Sequence, residues 1–328
     1  MTADPTAALR LLAATAVEAS SPAEITDVLV GAAHGLLEVD AIHVAEISQD
    51  RTVAQARGYR YTAEGRGGVE EYTQVIDERP SGVGRVLETG ETFHAPDADS
   101  SASVRRDYVA LYTVASALYV PVRWGGEVRW VLIALSSTPR AFADHEIALA
   151  ETLADIAGAG LALIEAGERR AAQGHRDAAL IRAAAALNAG RPRDETLEAL
   201  TREADLAVGG DLSGIYLGDA DSGGRATAGH QSPDGWLGFV IAPGEGVGGQ
   251  VLATGQAVIT NAYQSEVRVP SNPGMQQIQT AVSVPVRDAE KLIGALSVAF
   301  KRMRRVAQED LETLQAIADL AAVAVRRG

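Results

Sequence analysis

The segment from Gly82 to Ala157 is written a second time from Gly246 to Ala321, 164 residues further along and half a chain away. The first copy opens Gly82-Val-Gly-Arg-Val-Leu-Glu-Thr-Gly-Glu91 and the second Gly246-Val-Gly-Gly-Gln-Val-Leu-Ala-Thr-Gly-Gln256. Each continues into an apolar strand that contains a proline (Tyr119-Val-Pro-Val122, Ser283-Val-Pro-Val286). A further strand and an acidic helix start follow (Asp144-His-Glu-Ile147, Gln308-Glu-Asp-Leu311). Solenoid repeats run to roughly 20–50 residues, whereas this period is the size of a domain. The chain is therefore expected to be two copies of one fold: a first domain over 1–167, a connecting helix over 168–190 and a second domain over 191–328.

Composition narrows the partners. The chain has 328 residues and a net charge of −14, so no nucleic-acid surface and no anionic membrane surface are expected, because phosphate binding needs clustered Lys and Arg. Lys occurs only at Lys291 and Lys301, a bias that fits a GC-rich bacterial coding sequence. Cysteine is absent, which excludes disulfides, thiolate metal sites and thioether-linked chromophores. The start at Met1 has no positive n-region and no run of about 20 uncharged apolar residues occurs, so a soluble, cytoplasmic location is expected. With 47% hydrophobic but only 5% aromatic residues, the cores must be built from Ala, Val, Leu and Ile.

Periodicity gives the element order. Thr6–Glu18 and Pro22–Leu37 read as amphipathic helices. Strands are expected at Ala41–Ile47, Val53–Gly58 and Tyr72–Ile76, with a Gly-rich loop over Arg57–Gly68. A short helix at Gly82–Glu88 and a strand at Thr92–Ala95 lead through the polar loop Pro96–Ser103 to a short helix over Val104–Tyr112. The strands Ala115–Val122 and Val128–Ser136 are joined at Gly125-Gly126, a hairpin signal. The helix beginning at Asp144 meets no stop before Gly167, and good helix formers carry it on to Leu187. The second copy repeats the order, with strands that include Leu237–Ile241 and a last helix over Glu309–Arg326. Helices, then mostly antiparallel strands, then a helix describe an α+β fold. Each copy should have a central sheet of about six strands with helices packed on one face.

In that order the motifs Gly-Val-Gly…Val-Leu-x-Thr-Gly, Val-Pro-Val and Leu292-Ile-Gly-Ala-Leu-Ser-Val298, closed by the acidic helix, resemble the GAF domain family. The second copy matches closely; in the first, Trp130 stands where Gly294 stands in the second. The resemblance implies a sensory module in which a small molecule lies between the sheet and a variable loop while terminal helices pair with those of another chain. Tandem copies on a long helix look like the input portions of bacterial histidine kinases, phosphodiesterases and transcriptional regulators. Ending at Gly328, the sequence carries no output module, so either a separate output protein or a removed domain is expected.

Alternation along a strand turns Val282, Val284 and Val286 toward the helices and Ala281 and Ser283 toward the pocket. In the first copy it turns Ala117 and Tyr119 the same way. A core tyrosine with a satisfied hydroxyl is an equally good reading of Tyr119. Further candidates are Arg105, Tyr108 and Tyr112 in the first variable loop, and Tyr263, Met275, Gln276 and Gln279 in the second. The simplest reading of the first group is an amphipathic cover helix. His94 could ligate haem or titrate near neutrality, although a lone histidine is more often structural and haem-binding relatives carry theirs in the loop itself. Trp130, Tyr108 and Tyr119 are expected to make the first pocket the more aromatic. Asn261-Ala-Tyr-Gln-Ser-Glu266 keeps only the first residue of the family's cyclic-nucleotide signature. No metal-like spacing links His34, His43, His145, His175 and His230.

The function expected from these residues is a non-catalytic sensory or regulatory homodimer, paired through its terminal and connecting helices, whose cofactor, if any, is unknown. The alternatives are an enzyme using an unusual pocket acid, a haem-based gas or redox sensor, and a scaffold with filled pockets.

Overall fold

The computed structural model describes residues 4–62, 73–77, 79–105, 109, 114–271 and 273–328. It divides into two compact units, residues 1–169 and 170–328.

The first unit begins with helices α1 (Pro5–Glu18) and α2 (Pro22–Leu37), each opened by a proline whose missing N–H costs nothing in the first turn. Strands β1 (Ala41–Ile47), β2 (Val53–Tyr61), β3 (Thr73–Val75), β4 (Phe93–Ala95), β5 (Ser116–Trp124) and β6 (Glu127–Ser136) form one antiparallel sheet in the order β3-β2-β1-β6-β5-β4. Helix α3 (Gly82–Thr89) lies between β3 and β4. The expected loop at Arg57 begins later than predicted, because Ala41 to Val44 of β1 keep pairing with β2 out to Tyr61. The β5–β6 hairpin turns through Gly125 and Gly126, both at positive φ, as its two-residue connection requires. Most of the predicted Val104–Tyr112 helix, including Tyr108 and Tyr112, lies outside the described residues.

The second unit repeats this plan. Helix α5 (Arg193–Val208) precedes β7 (Leu212–Asp219), β8 (Gly223–His230), β9 (Val240–Ile241), α6 (Gly246–Thr254), β10 (Val258–Thr260), the single turn α7 (Tyr263–Glu266), β11 (Thr280–Asp288), β12 (Lys291–Phe300) and α8 (Gln308–Arg327). The sheet order β9-β8-β7-β12-β11-β10 is that of the first unit, strand for strand. The register confirms it: Asp40 and Asp211 hold equivalent corners, their carboxylates accepting from the Ser137 and Lys301 backbone N–H groups. The predicted strand at Leu237 shrinks to Val240–Ile241. Gly235 and Gly238 adopt positive φ there, turning the chain so that Leu237 faces solvent.

In both units the helices cover one sheet face. Leu118, Val120, Val122, Trp130 and Leu132 pack against α1, α2 and the first part of helix α4 (Asp144–Asn188). Val282, Val284, Val286, Leu296 and Phe300 pack against α5, α8 and the last part of α4. Trp130, expected in the pocket, thus belongs to the helix side, because it shares a face with Leu132 and Ala134.

The unbroken 45-residue α4 carries an 18-residue stretch apolar and long enough to suit a membrane span, and Ala150, Leu153, Ala154, Ala157 and Leu161 of α4 are buried in the first core. Its glycines fall into two kinds. A Cβ on Gly158 would come 2.2 Å from the Arg123 carbonyl oxygen, and one on Gly160 2.8 Å from Ala16, so these two let the helix settle onto its neighbours. Gly167 and Gly174 face open space.

The entry to each terminal helix is built twice from the same parts. Asp310, 2% exposed, pairs with Arg176 of α4 at 3.2 Å and with Arg304 at 2.7 Å, and accepts from the Ala307 backbone N–H at 3.2 Å. Its counterpart Glu146 pairs with Arg140 and accepts from the Ala143 N–H at 2.8 Å. A carboxylate reaching back from the first turn satisfies an orphan donor and sits favourably in the helix dipole.

Candidate functional site

The face of each sheet away from the helices is roofed by short elements, and the space under the roof is the candidate site. In the first unit it lies among His43, Gln74, Ser81, Gly82, Arg105 and Tyr119; in the second among Gly214, Tyr216, Trp236, Glu245, Tyr263 and Met275. Each chamber encloses about 30 Å³, room for a water or two, whereas small-molecule sites run to roughly 300–1,000 Å³. The chambers are where the strand alternation put them, but their own side chains fill them.

In the first unit Tyr119 is the filler. Its ring lies so close over Gly82 that a Cβ there would sit 2.3 Å from it, and it stacks on Phe93 at 5.8 Å. Burial pushes its phenol well above the usual tyrosine range. His43, on the middle strand, is 1% exposed and lines the same space. Arg105 lines the rim and donates to the Val75 carbonyl oxygen at 3.4 Å.

In the second unit Trp236 is the filler. Its indole N–H donates to the Tyr216 hydroxyl at 3.0 Å, and the two rings meet edge to face at 5.1 Å. The indole rests on two glycines that pair directly across β7 and β8: a Cβ on Gly214 would come 2.1 Å from the ring, one on Gly229 2.8 Å. Gly214 occupies the register position of His43, opposite Ser297 as His43 is opposite Ile133. Tyr263 lies under the roof, its hydroxyl by Gly246; burial, with the Glu245 charge behind it, pushes that phenol up to about 12.

The predicted residues divide. Tyr119, Arg105, Tyr263 and Met275 line the chambers. Ser283 is buried behind the second chamber, 2.8 Å from the lining Ser297 hydroxyl. Gln276 and Gln279 face solvent; the roof is tied down instead by Gln264, which donates to the Met275 and Ile278 carbonyls, both at 2.9 Å. His94 is turned away from the pocket. It pairs with Leu118 in the sheet and so faces the helices, where its Nε2 accepts from the Phe142 N–H at 3.3 Å, while its neighbour Phe93 takes the pocket side. The second chamber, not the first, has the larger described aromatic set. Sequence reasoning missed His43, Tyr216 and Trp236. Glycines inside the strands at Gly214 and Gly229 were the available signal, since a strand glycine marks close approach of another group.

Among the described residues no three His, Asp or Glu side chains are placed to hold a metal ion. The ionised groups differ between the chambers: Arg105 lines the first, Glu245 the second.

His43 carries a pH prediction. Burial lowers its pKa to about 3. Above about pH 6.5 it is neutral in the folded and the unfolded chain. Below that the unfolded chain takes up a proton that the folded chain refuses, so stability falls with pH, by about 2 kcal/mol at pH 5. Denaturation midpoints at pH 7 and pH 5 should show that loss in the first unit, and His43→Leu should flatten it.

Family models described as GAF domain match residues 21–161 and 190–326. No curated protein matches. Among solved structures, a bacteriophytochrome from the photosynthetic bacterium R. palustris aligns over 98% of this chain and 75% of its own, at 12% identity and a TM-score of 0.65. The GAF domain of an Acinetobacter phosphoenolpyruvate-protein phosphotransferase aligns over 46% of this chain and 93% of its own, at 18% identity and a TM-score of 0.42. That of the Coxiella burnetii enzyme aligns over 47% and 94%, at 15% and 0.43.

Proposed function

This chain belongs to the GAF domain family, in two copies, and on that premise we propose that it is a non-catalytic sensory or regulatory module. In this reading a small molecule enters the chamber under the roof of one or both units, and the shift of roof and sheet biases how the terminal and connecting helices pair in a homodimer. The observation that carries it is the contrast between faces. The helix-side framework repeats the Asp310 and Glu146 caps and the sheet register, though Trp130 stands there where the second unit has Gly294. At the chambers, by contrast, His43 is replaced by Gly214 and the lining Tyr119 by Ser283, which lies behind the second chamber. Divergence at the chambers on a shared sheet plan is what two different ligand specificities on one scaffold require. Leu11, Val17 and Leu163, exposed by 59%, 74% and 52% on α1 and α4, supply apolar surface for a second copy to cover. Native mass spectrometry of the full chain tests both parts. The expected result is a dimer carrying a small molecule of discrete mass; a ligand-free monomer under conditions that preserve the fold would overturn the reading.

A further inference from the structure

Trp236 enters the roof-side core of the second unit from a turn that is otherwise largely exposed. Its neighbours Asp234, Gly235, Leu237 and Gly238 are exposed, and the indole alone is inserted, 2% exposed. Within the turn the main-chain bonds are Trp236 N–H to the Pro233 carbonyl oxygen at 3.1 Å and Phe239 N–H to the Trp236 carbonyl oxygen at 3.0 Å. Its far end is tied to β8 by Gly238 N–H to the Ala226 carbonyl oxygen and Ala226 N–H to the Phe239 carbonyl oxygen, both at 2.8 Å. Positive φ at Gly235 and Gly238 gives the chain a pivot on either side. Beneath the ring the paired Gly214 and Gly229 leave a flat, side-chain-free patch of sheet that accepts a planar ring and nothing thicker. Tyr216 supplies one acceptor to a ring N–H.

Resting on the sensory reading above, we propose that Trp236 is a resident occupant of the second chamber, displaced by a planar heteroaromatic ligand that carries a ring N–H and a cationic arm. The ring takes the place of the indole on the glycine patch and donates to the Tyr216 hydroxyl. The cationic arm answers Glu245, the ionised side chain among the described residues lining this chamber. Glu245 precedes α6 and accepts the Ala242 N–H at 2.9 Å, and its charge reaches both phenols, adding to the rise that burial imposes on Tyr216 and Tyr263. The nearby Arg268 contributes its main-chain carbonyl to Gly246 and keeps its side chain in solvent. An arylalkylamine therefore fits this chamber and an arylalkanoate does not. Exchange of one ring for another keeps the chamber filled, so the binding signal is the movement of the 233–237 segment out of the fold, hinged at Gly238, whose N–H stays bonded to the Ala226 carbonyl oxygen of β8.

The chain has three tryptophans, so the full-length protein with 15N-labelled indoles gives three side-chain signals, and the one lost in Trp236→Phe is Trp236. Titration with tryptamine should carry that signal to the position of a solvated indole and leave the other two in place. Indole-3-acetate should bind about tenfold more weakly, and Glu245→Gln should bring the two probes within about twofold of each other. In the folded Trp236→Gly variant, indole itself should bind and raise the melting temperature. The inference is overturned if tryptamine fails to bind, if it binds while the Trp236 signal stays put, or if the carboxylate analogue binds equally well. If tryptamine fails while native mass spectrometry still finds a bound small molecule, the sensory reading stands and only this inference falls.

Discussion

Asp310→Ala should cost the second unit about 3–5 kcal/mol, because it strands buried positive charge and uncaps a helix in one step. The carboxylate is 2% exposed and holds Arg176, whose side chain is only 13% exposed, as well as Arg304. Breaking a buried pair from one side leaves the partner desolvated with nothing to face. By contrast, Asp194→Ala at the exposed Arg193–Asp194 pair should cost less than about 1 kcal/mol. Guanidinium denaturation followed by signals from the second unit measures both. A loss at Asp310 no larger than at Asp194 would show that the buried network is not formed in solution.

Gly158→Val and Gly174→Ala should move stability in opposite directions although both add carbon to a glycine of the same helix. At Gly158 the new side chain meets the Arg123 main-chain oxygen, and neither helix nor strand backbone can withdraw without opening the first core. Overpacking of that kind costs about 3 kcal/mol. At Gly174 the added methyl meets only solvent and removes the entropy penalty of a helical glycine, a gain of about 1 kcal/mol. Thermal melts of the two variants decide it: equal signs would mean that α4 does not lie on β5 as described.

What was legible in the sequence was whatever repeats or alternates. The duplication, the six-strand sheets, the Gly125-Gly126 hairpin, the inward Val282, Val284 and Val286 and the continuous α4 all follow from local patterns with strong physical causes. What escaped was set by contacts distant in sequence. His94 went to the wrong face because β4 is three residues long, too short for alternation to declare itself, and its pairing with Leu118 decides the matter. Trp236 stands just before the segment that read as a strand, and only the glycines of β7 and β8, more than six residues away on other strands, explain why an indole is there. Gln276 and Gln279 were chosen for polarity within the right loop, but the irregular backbone between Tyr263 and Thr280 turns them outward. Family resemblance located the chambers and left their contents open.

The two solvent-facing glycines of α4 stand on either side of the point where one unit ends and the other begins, residues 169 and 170. Each gives up about 1 kcal/mol of helical preference relative to alanine, so turns opened there are populated about 30-fold more than in an alanine spine. A rod is only as stiff as its most compliant turn. Local unwinding of the helix is therefore expected first in this short stretch, and two methyl groups, one at each glycine, would suppress it.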